Sequence, residues 1–400
     1  MIIDPSERST PKLTSAKARA GVMPRIVRAG DLAGGGDLPT AERPGPLLIE
    51  GRASEALAKL PESSVDCALT SPPYWSVRQY HGSSELGEEP TPERYVEDLV
   101  SELSGLERVL KPTGSLWLNI GDTYLHKNLS GIPWRVALAL QNEGWILRNA
   151  VVWDKVKGNP DNAKDKLRDL YELVFHFVRQ RSYFYDLDLV RNPPAQPTWK
   201  NGKVVTATGV SGTRYRRQID RSTALSDAER EAAHAALDDA LERVADASMP
   251  DFRMIIRGQQ RMTHSDVTEV SGRAKEIEKR GFCILPYHAK GSKPGDVWQI
   301  IPEDKWRVDR HCAVFPEELC RVPILATCPS DGVLLDPFVG TGTAIKVAAD
   351  YGRCAIGIDT SREYLEVAQA RIEDGASPGG ADDVPSAERL ELEALVQALA

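Results

Sequence analysis

One stretch near the end of the chain limits the fold more than any other: Val333-Leu334-Leu335-Asp336-Pro337-Phe338-Val339-Gly340-Thr341-Gly342-Thr343. An apolar strand runs into a glycine turn, then into a helix over 344–350, then into a second strand over 354–358 that ends on Asp359. A strand, tight turn, helix and strand in such short order form the crossover unit of a parallel sheet, so the chain reads as α/β. The glycines let backbone approach a ligand closely, and an acid about 20 residues on suits ribose hydroxyls. The third glycine of the dinucleotide fingerprint is missing. In its place, Asp336-Pro337-Phe338 sets a carboxylate and an aromatic ring at the strand end. A cofactor carrying adenosine and a cationic centre fits this turn better than a pyrophosphate does.

A second stretch, Thr70-Ser71-Pro72-Pro73-Tyr74-Trp75, follows the buried apolar run 65–69. The prolines fix φ and remove two N–H donors. What remains is a stiff corner offering carbonyls, one hydroxyl and a flat aromatic face. Such a corner suits a planar ligand bearing an amino group. Ser71 and the Pro72 carbonyl can accept its two hydrogens, and Tyr74 can stack on its ring. Taken alone, Pro-Pro-aromatic is also an ordinary rigid turn; the downstream turn is what favours the chemical reading.

Together, Thr-Ser-Pro-Pro-Tyr-Trp and the later Asp-Pro-Phe-Val-Gly-Thr-Gly-Thr resemble the beta-class amino-methyltransferases of DNA, whose catalytic motif precedes the cofactor motif. The resemblance spans residues 47–185 and 290–373. It implies a Rossmann-like class I methyltransferase sheet, mostly parallel with one antiparallel edge hairpin strand, and an inserted target-recognition region. It implies S-adenosylmethionine as cofactor, no metal, and double-stranded DNA as partner. Ser71, Pro72, Pro73 and Tyr74 take the catalytic positions. Asp336, Pro337, Phe338, Gly340, Thr341, Gly342, Thr343 and Asp359 take the cofactor positions; Phe315 is either a further cofactor contact or a core phenylalanine, and Asp66 either a contact or a structural cap. The Ser-Pro-Pro-Tyr form resembles the cytosine N4 branch, since the adenine N6 branch usually begins with Asp. Adenine methylation would use the same geometry. Where the family often carries Gly-Asp, this chain has Gly51-Arg52. Asn119 and Asp122, at the end of the strand 115–120, are either pocket residues or a turn-forming pair.

The remaining chain divides around these motifs. Residues 1–45 are rich in Pro, Gly, Ser and Arg without periodicity and read as a mobile arm. Residues 46–185 form the catalytic half, 291–374 the cofactor half, and 375–400 an acidic linker with a terminal helix. Between the halves, 186–290 breaks the core pattern. Its cations Arg191, Lys200, Lys203, Arg214, Arg216, Arg217, Arg253, Arg257 and Arg261 are the candidate DNA contacts. Its Ala-rich helix over 226–247 reads as a solvated strut.

Composition excludes other classes. The net charge of −8 is unusual for a nucleic-acid binder, but its distribution matters more than its sum. There is no run of 18 or more apolar residues and no evident secretory signal, so a cytoplasmic protein of a bacterial or phage-infected cell is expected. The six cysteines form no Cys-x-x-Cys pair, and none follows a proline. A ring-carbon methyltransferase with a Pro-Cys nucleophile is therefore disfavoured. Methylation of a protein amide resembles a family with Asn-Pro-Pro-Tyr and the opposite motif order. From a different class, a DNA-binding module that has lost catalysis conflicts with the intact motifs. A cognate restriction endonuclease is the partner such enzymes imply, with no support inside this chain; oligomeric state is not legible.

Overall fold

The computed structural model describes residues 23–32, 38–39, 45–76, 86–158, 163–193, 198–200, 203–205, 212–258, 272–302 and 316–375. The chain divides into two compact units, one built from 1–189 with 295–400 and one from 190–294.

In chain order the first unit opens with β1 (Arg25–Arg28), β2 (Leu47–Glu50), α1 (Ala53–Lys59) and β3 (Val65–Thr70). There follow α2 (Pro92–Leu103), α3 (Leu106–Val109), β4 (Leu110–Ile120) and a small hairpin of β5 (Tyr124–Leu125) and β6 (Asn128–Leu129). Then come α4 (Ile132–Asn142), β7 (Ile146–Asp154) and β8 (Tyr171–Val178). The second unit holds β9 (Thr198–Lys200), β10 (Lys203–Val205), α5 (Thr213–Asp220), α6 (Asp227–Ala245), β11 (Phe252–Ile256), α7 (Gly272–Arg280) and β12 (Phe282–Pro286). The chain returns with β13 (Val297–Gln299), α8 (Glu317–Thr327), β14 (Val333–Asp336), α9 (Thr343–Asp350), β15 (Cys354–Asp359) and α10 (Arg362–Gly375).

Nine strands make one sheet in the order β1-β2-β15-β14-β3-β4-β8-β7-β13. β8 runs antiparallel to both its neighbours, while the other pairings in the sheet are parallel. The mostly parallel sheet is as expected, but the antiparallel strand is not at an edge. β13 adds beyond β7, pairing Trp298 with Trp153, and buries the hairpin within the sheet. The segment expected as a mobile arm contributes β1, which pairs in parallel with β2.

The strands read as near-continuous apolar runs because both faces are covered. Alternation sorts them by face. Leu47, Ile49, Leu116, Leu118, Phe175 and Phe177 pack with α1, α2 and α4 on one side. Leu48, Leu69, Trp117 and Val174 pack with α8, α9 and α10 on the other. On that second face His176 stacks on Trp117 with ring centroids 4.2 Å apart and bonds Ser115 Oγ at 3.0 Å. Burial lowers its pKa to about 3, so it is a neutral core histidine.

The second unit has its own core. Ala233, Leu237, Ala240 and Val244 of α6 are buried beside Phe252, Met254 and Phe282. The Ala-rich helix, expected as a solvated strut, is therefore the unit's central element. Small residues at helical spacing let α5 pack closely along it. The start of α6 is capped by Ser226 and Glu229 in a reciprocal pair.

Helices α8, α9 and α10 are locked by a fully buried cation. Arg371 donates to Thr343 Oγ1 and to Glu317 Oε1, both at 2.8 Å, and Lys346 donates to the other Glu317 oxygen at 2.9 Å. Burial alone would raise the Glu317 carboxyl, but Arg371 and Lys346 hold it below its ordinary value. Removing one partner of a buried pair strands the other. Arg371→Leu should therefore destabilise the protein by about 2 kcal/mol, Glu317 keeping Lys346 and some solvent. Urea unfolding of the full chain measures this, and an unchanged midpoint would contradict it.

Candidate active site

The sheet order creates the site. From β14 the chain moves through α9 to β15 on one side, while from β3 it moves to β4 on the other. β14 and β3 are neighbours, with Leu334 opposite Cys67 and Leu335 opposite Ala68. They form a topological switch point, and ligands of such sheets bind outside the carboxyl ends of the strands there. β3 delivers Thr70 and then Ser71-Pro72-Pro73-Tyr74; β14 delivers Asp336. The two ends are joined by a hydrogen bond from Thr70 Oγ1 to Asp336 Oδ1 at 2.7 Å.

Asp336 is fully buried, and burial raises its pKa to about 7. Its Oδ1 also accepts from Phe338 N at 3.1 Å, whereas Oδ2 has no partner among the described residues. A buried carboxylate oxygen left open costs free energy unless a cation or donor meets it. The turn beyond is shaped for close approach. Gly340 and Gly342 have φ of 48° and 81°, and a Cβ at Gly342 would lie 2.7 Å from Ala368 Cβ. Asp359 closes the turn by accepting from Gly340 N at 2.9 Å and from Ser361 N at 2.8 Å. Its carboxylate is half-buried. Phe338 is half-buried, so part of its ring is accessible. Thr343, by contrast, turns its hydroxyl to Arg371. An open buried carboxylate, two left-handed glycines and a ribose-type acid fit S-adenosylmethionine, which carries adenosine and a cationic centre.

The Ser71–Tyr74 corner is braced from three sides. The Tyr74 hydroxyl donates to Glu172 Oε2 at 2.6 Å and lies 3.2 Å from Ser71 Oγ. Asn119 Nδ2 reaches the Tyr74 hydroxyl at 2.8 Å, Glu172 Oε2 at 2.9 Å and Ser71 Oγ at 3.3 Å. Lys155 forms an ion pair with the other Glu172 oxygen. Burial and the Glu172 carboxylate hold the Tyr74 phenol well above its ordinary pKa, so it remains protonated. The ring packs over Gly121, where a Cβ would come within 2.7 Å of a ring carbon. The Pro73 carbonyl accepts from the Tyr95 hydroxyl at 2.8 Å. The Pro72 carbonyl accepts no hydrogen bond from the described residues.

Several expectations change here. Asp66 lies at the start of β3, the opposite end of the sheet from Ser71. Both its oxygens accept from Lys111 Nζ at 2.8 Å, and Oδ2 also accepts from Val333 N. It ties β3 to β14 and is not a cofactor contact. Arg52, standing at the family's Gly-Asp position, pairs with Glu102. Asp122 accepts from Thr123 N and Ile132 N and is a turn former, while Asn119 belongs to the pocket. Glu172 was not anticipated as a site residue. The available signal was an acid just inside an otherwise apolar strand. Phe315 and Arg261 lie outside the described residues.

In the second unit the cations separate. Arg257 pairs with Glu229 and donates to the carbonyls of Ile277 and Ala224. Arg216 pairs with Asp238, and Arg191 donates to Gly291 O at 3.1 Å. These three serve the fold of the unit. Arg214, Arg217 and Arg253 are exposed. Lys200 and Lys203 sit in the β9–β10 hairpin, on facing positions.

Comparison with known proteins agrees with this geometry. A family model of N6/N4 methyltransferases, described as DNA methylase, matches residues 65–370. The type II methyltransferase M.SfiI of Streptomyces fimbriatus is 31% identical over 388 aligned residues, covering 82% of this chain and 91% of its own. The type II methyltransferase M.SmaI of Serratia marcescens is 26% identical over 354, covering 81% and 90%. Among solved structures, the PvuII DNA methyltransferase (cytosine-N4-specific) aligns with a TM-score of 0.51 at 15% identity, over 95% of this chain and 96% of that one. That likeness speaks to fold alone. Motif order, switch-point geometry and these matches along most of its length make the chain a member of the DNA methylase family, alongside type II methyltransferases.

Proposed function

We propose that this protein methylates the exocyclic N4 amino group of cytosine in duplex DNA, using S-adenosylmethionine and an extruded target base. The observation that carries the reading is the Thr70–Asp336 bond, which holds the Ser71–Tyr74 corner against the glycine turn. The choice of cytosine rests on Ser71. A neutral hydroxyl stands where the adenine branch usually has a carboxylate. The type II relatives support a restriction–modification setting with a cognate endonuclease.

S-adenosylmethionine, when bound, supplies a methyl group on a sulfonium that departs as a neutral thioether. Asp336, Phe338, the amides around Gly340 and Gly342, and Asp359 would hold it. The cytosine amino lone pair is delocalised into the ring and is a poor nucleophile. Ser71 Oγ and the Pro72 carbonyl accept its two hydrogens and orient the lone pair. Tyr74 stacks on the base, its ring fixed beforehand by Glu172, Asn119 and the gap at Gly121. Extrusion of the base costs a few kcal/mol, which this stacking helps offset. Once methylated, the nitrogen must release a proton. Ser71 Oγ, the Tyr74 hydroxyl and Glu172 Oε2 form a hydrogen-bonded line toward a carboxylate, and Lys155 sits at its far end.

Incubation with S-adenosylmethionine and mixed-sequence duplex should yield N4-methylcytosine on nucleoside mass spectrometry, with strand sequencing locating the modified site. N6-methyladenine instead would refute the argument from Ser71 and keep the fold. Ser71→Ala should lower kcat by about a hundredfold, the scale of losing one oriented polar contact to a reacting group. Steady-state kinetics on the located site would measure this; full activity would remove Ser71 from the mechanism.

Asp336 gives a pH signature. Its folded pKa near 7 lies above the ordinary carboxylate value, so the ionised form grows as pH rises toward neutrality. A cationic ligand favours that form. Cofactor affinity should therefore strengthen from pH 5.5 to 7.5, by at most about tenfold per unit. Titration calorimetry on wild type and Asp336→Asn should show this slope only in the wild type.

A further inference from the structure

The loop before β8 carries Leu167, which at 89% exposure is the most exposed large apolar side chain among the described residues. One exposed leucine means little by itself. This one has company. The β5–β6 hairpin presents Leu125 and Leu129, both more than two-fifths exposed. The loop and the hairpin are tied together: Lys127 Nζ bonds Asp165 at 2.7 Å, and the Tyr124 hydroxyl bonds Asp169 at 3.3 Å. Lys166 lies over the Tyr124 ring at 4.7 Å and also pairs with Asp169. The hairpin turn places His126 and Lys127 at φ of 49° and 66°. Consecutive non-glycine residues in that region are strained, and strain of this kind gathers at functional segments. Asp165 and Asp169 are matched by Lys127 and Lys166. Within residues 163–170 the remaining charge is that of Lys164 and Arg168, both exposed.

The loop is also close to the chemistry. Glu172, which bonds the Tyr74 hydroxyl at 2.6 Å, follows Leu167 by five residues. Five residues reach at most about 17 Å. An apolar tip flanked by cations thus lies within about 17 Å of Glu172, the residue that fixes the ring on which the base would stack. Extruding a base leaves a gap whose neighbours have lost their stacking partner. Apolar side chains fill such gaps, and flanking cations contact the phosphates.

We propose that Leu167 is a wedge that enters the duplex and fills the space left by the extruded cytosine, with Lys164 and Arg168 on the adjoining phosphates. The inference rests on the methylation reading above and adds to it the element that holds the duplex open. The test compares two duplexes carrying the located site, one with the target cytosine opposite guanine and one with it opposite an abasic position. Flipping is easier in the second. Wild type, Leu167→Ala and Leu167→Phe are assayed as full chains. Leu167→Ala should lose about tenfold in kcat/KM on the paired duplex and less than about twofold on the abasic one. Leu167→Phe, which retains apolar bulk, should stay within about threefold of wild type on both. Equal loss on both duplexes, no loss on either, or a Leu167→Phe protein as impaired as Leu167→Ala would overturn the wedge and leave methylation standing. Wild-type protein inactive on both duplexes would overturn the methylation reading, and the wedge with it.

Discussion

The hydrogen bond between Thr70 and Asp336 is the contact on which the site depends. It spans 266 residues of sequence at a position with no solvent exposure. Parallel pairing of β3 with β14 brings the two strand ends level, and this bond then sets their side chains against each other. Group transfer tolerates little error in the placement of donor and acceptor. A rigid link between the two loops is therefore a requirement of the chemistry as well as of the core. The chain can accommodate a separate unit of about a hundred residues between β8 and β13 because the link is made by strands that flank the switch point.

Two carboxylates near this link are treated in opposite ways. Asp336 is buried with one oxygen open, and burial brings its pKa to about 7. Glu172 is held by Lys155, Asn119 and Tyr74 at once. Environments that differ this much assign different work to chemically similar groups. The first is suited to receive a cation. The second fixes a phenol and stands at the end of a hydrogen-bonded line from Ser71.

What could be read in advance follows from the range of the interactions involved. The bounds of β3, α9 and β15 were legible to within a residue because local apolar runs and the turns that flank them determine them. The turn at 336–342 and the corner at 71–74 were legible because glycine and proline impose backbone geometry directly. Glu172 was not, because its importance comes from a cross-sheet contact with Tyr74, 98 residues away. Asp66 was misassigned for a related reason. An acid near a strand has the same local pattern at either end of the sheet, and only the pairing with Lys111 and Val333 reveals which end it occupies. The strut reading of α6 failed because alanines carry little hydrophobic signal, yet they let a helix pack closely.

Charge shows the same limit. An overall charge of −8 argues against DNA, but seven acids and one arginine after Ile372 account for six of those negative charges. The basic middle of the chain argues the other way, and it too overstates the case. Arg191, Arg216 and Arg257 look like phosphate contacts in the sequence, and each is engaged within its own unit. A cation held by a carboxylate neutralises less of a phosphate's field than a free one, and salt screening reduces it further. Among the described residues Arg214, Arg217 and Arg253 of the candidates are exposed, and so are Arg221, Lys275, Lys279 and Lys293 of the same unit, which are outside the candidate set. Which cations are open to a phosphate is thus decided by the carboxylates and carbonyls packed around each one, and a count of arginines in the sequence cannot supply that.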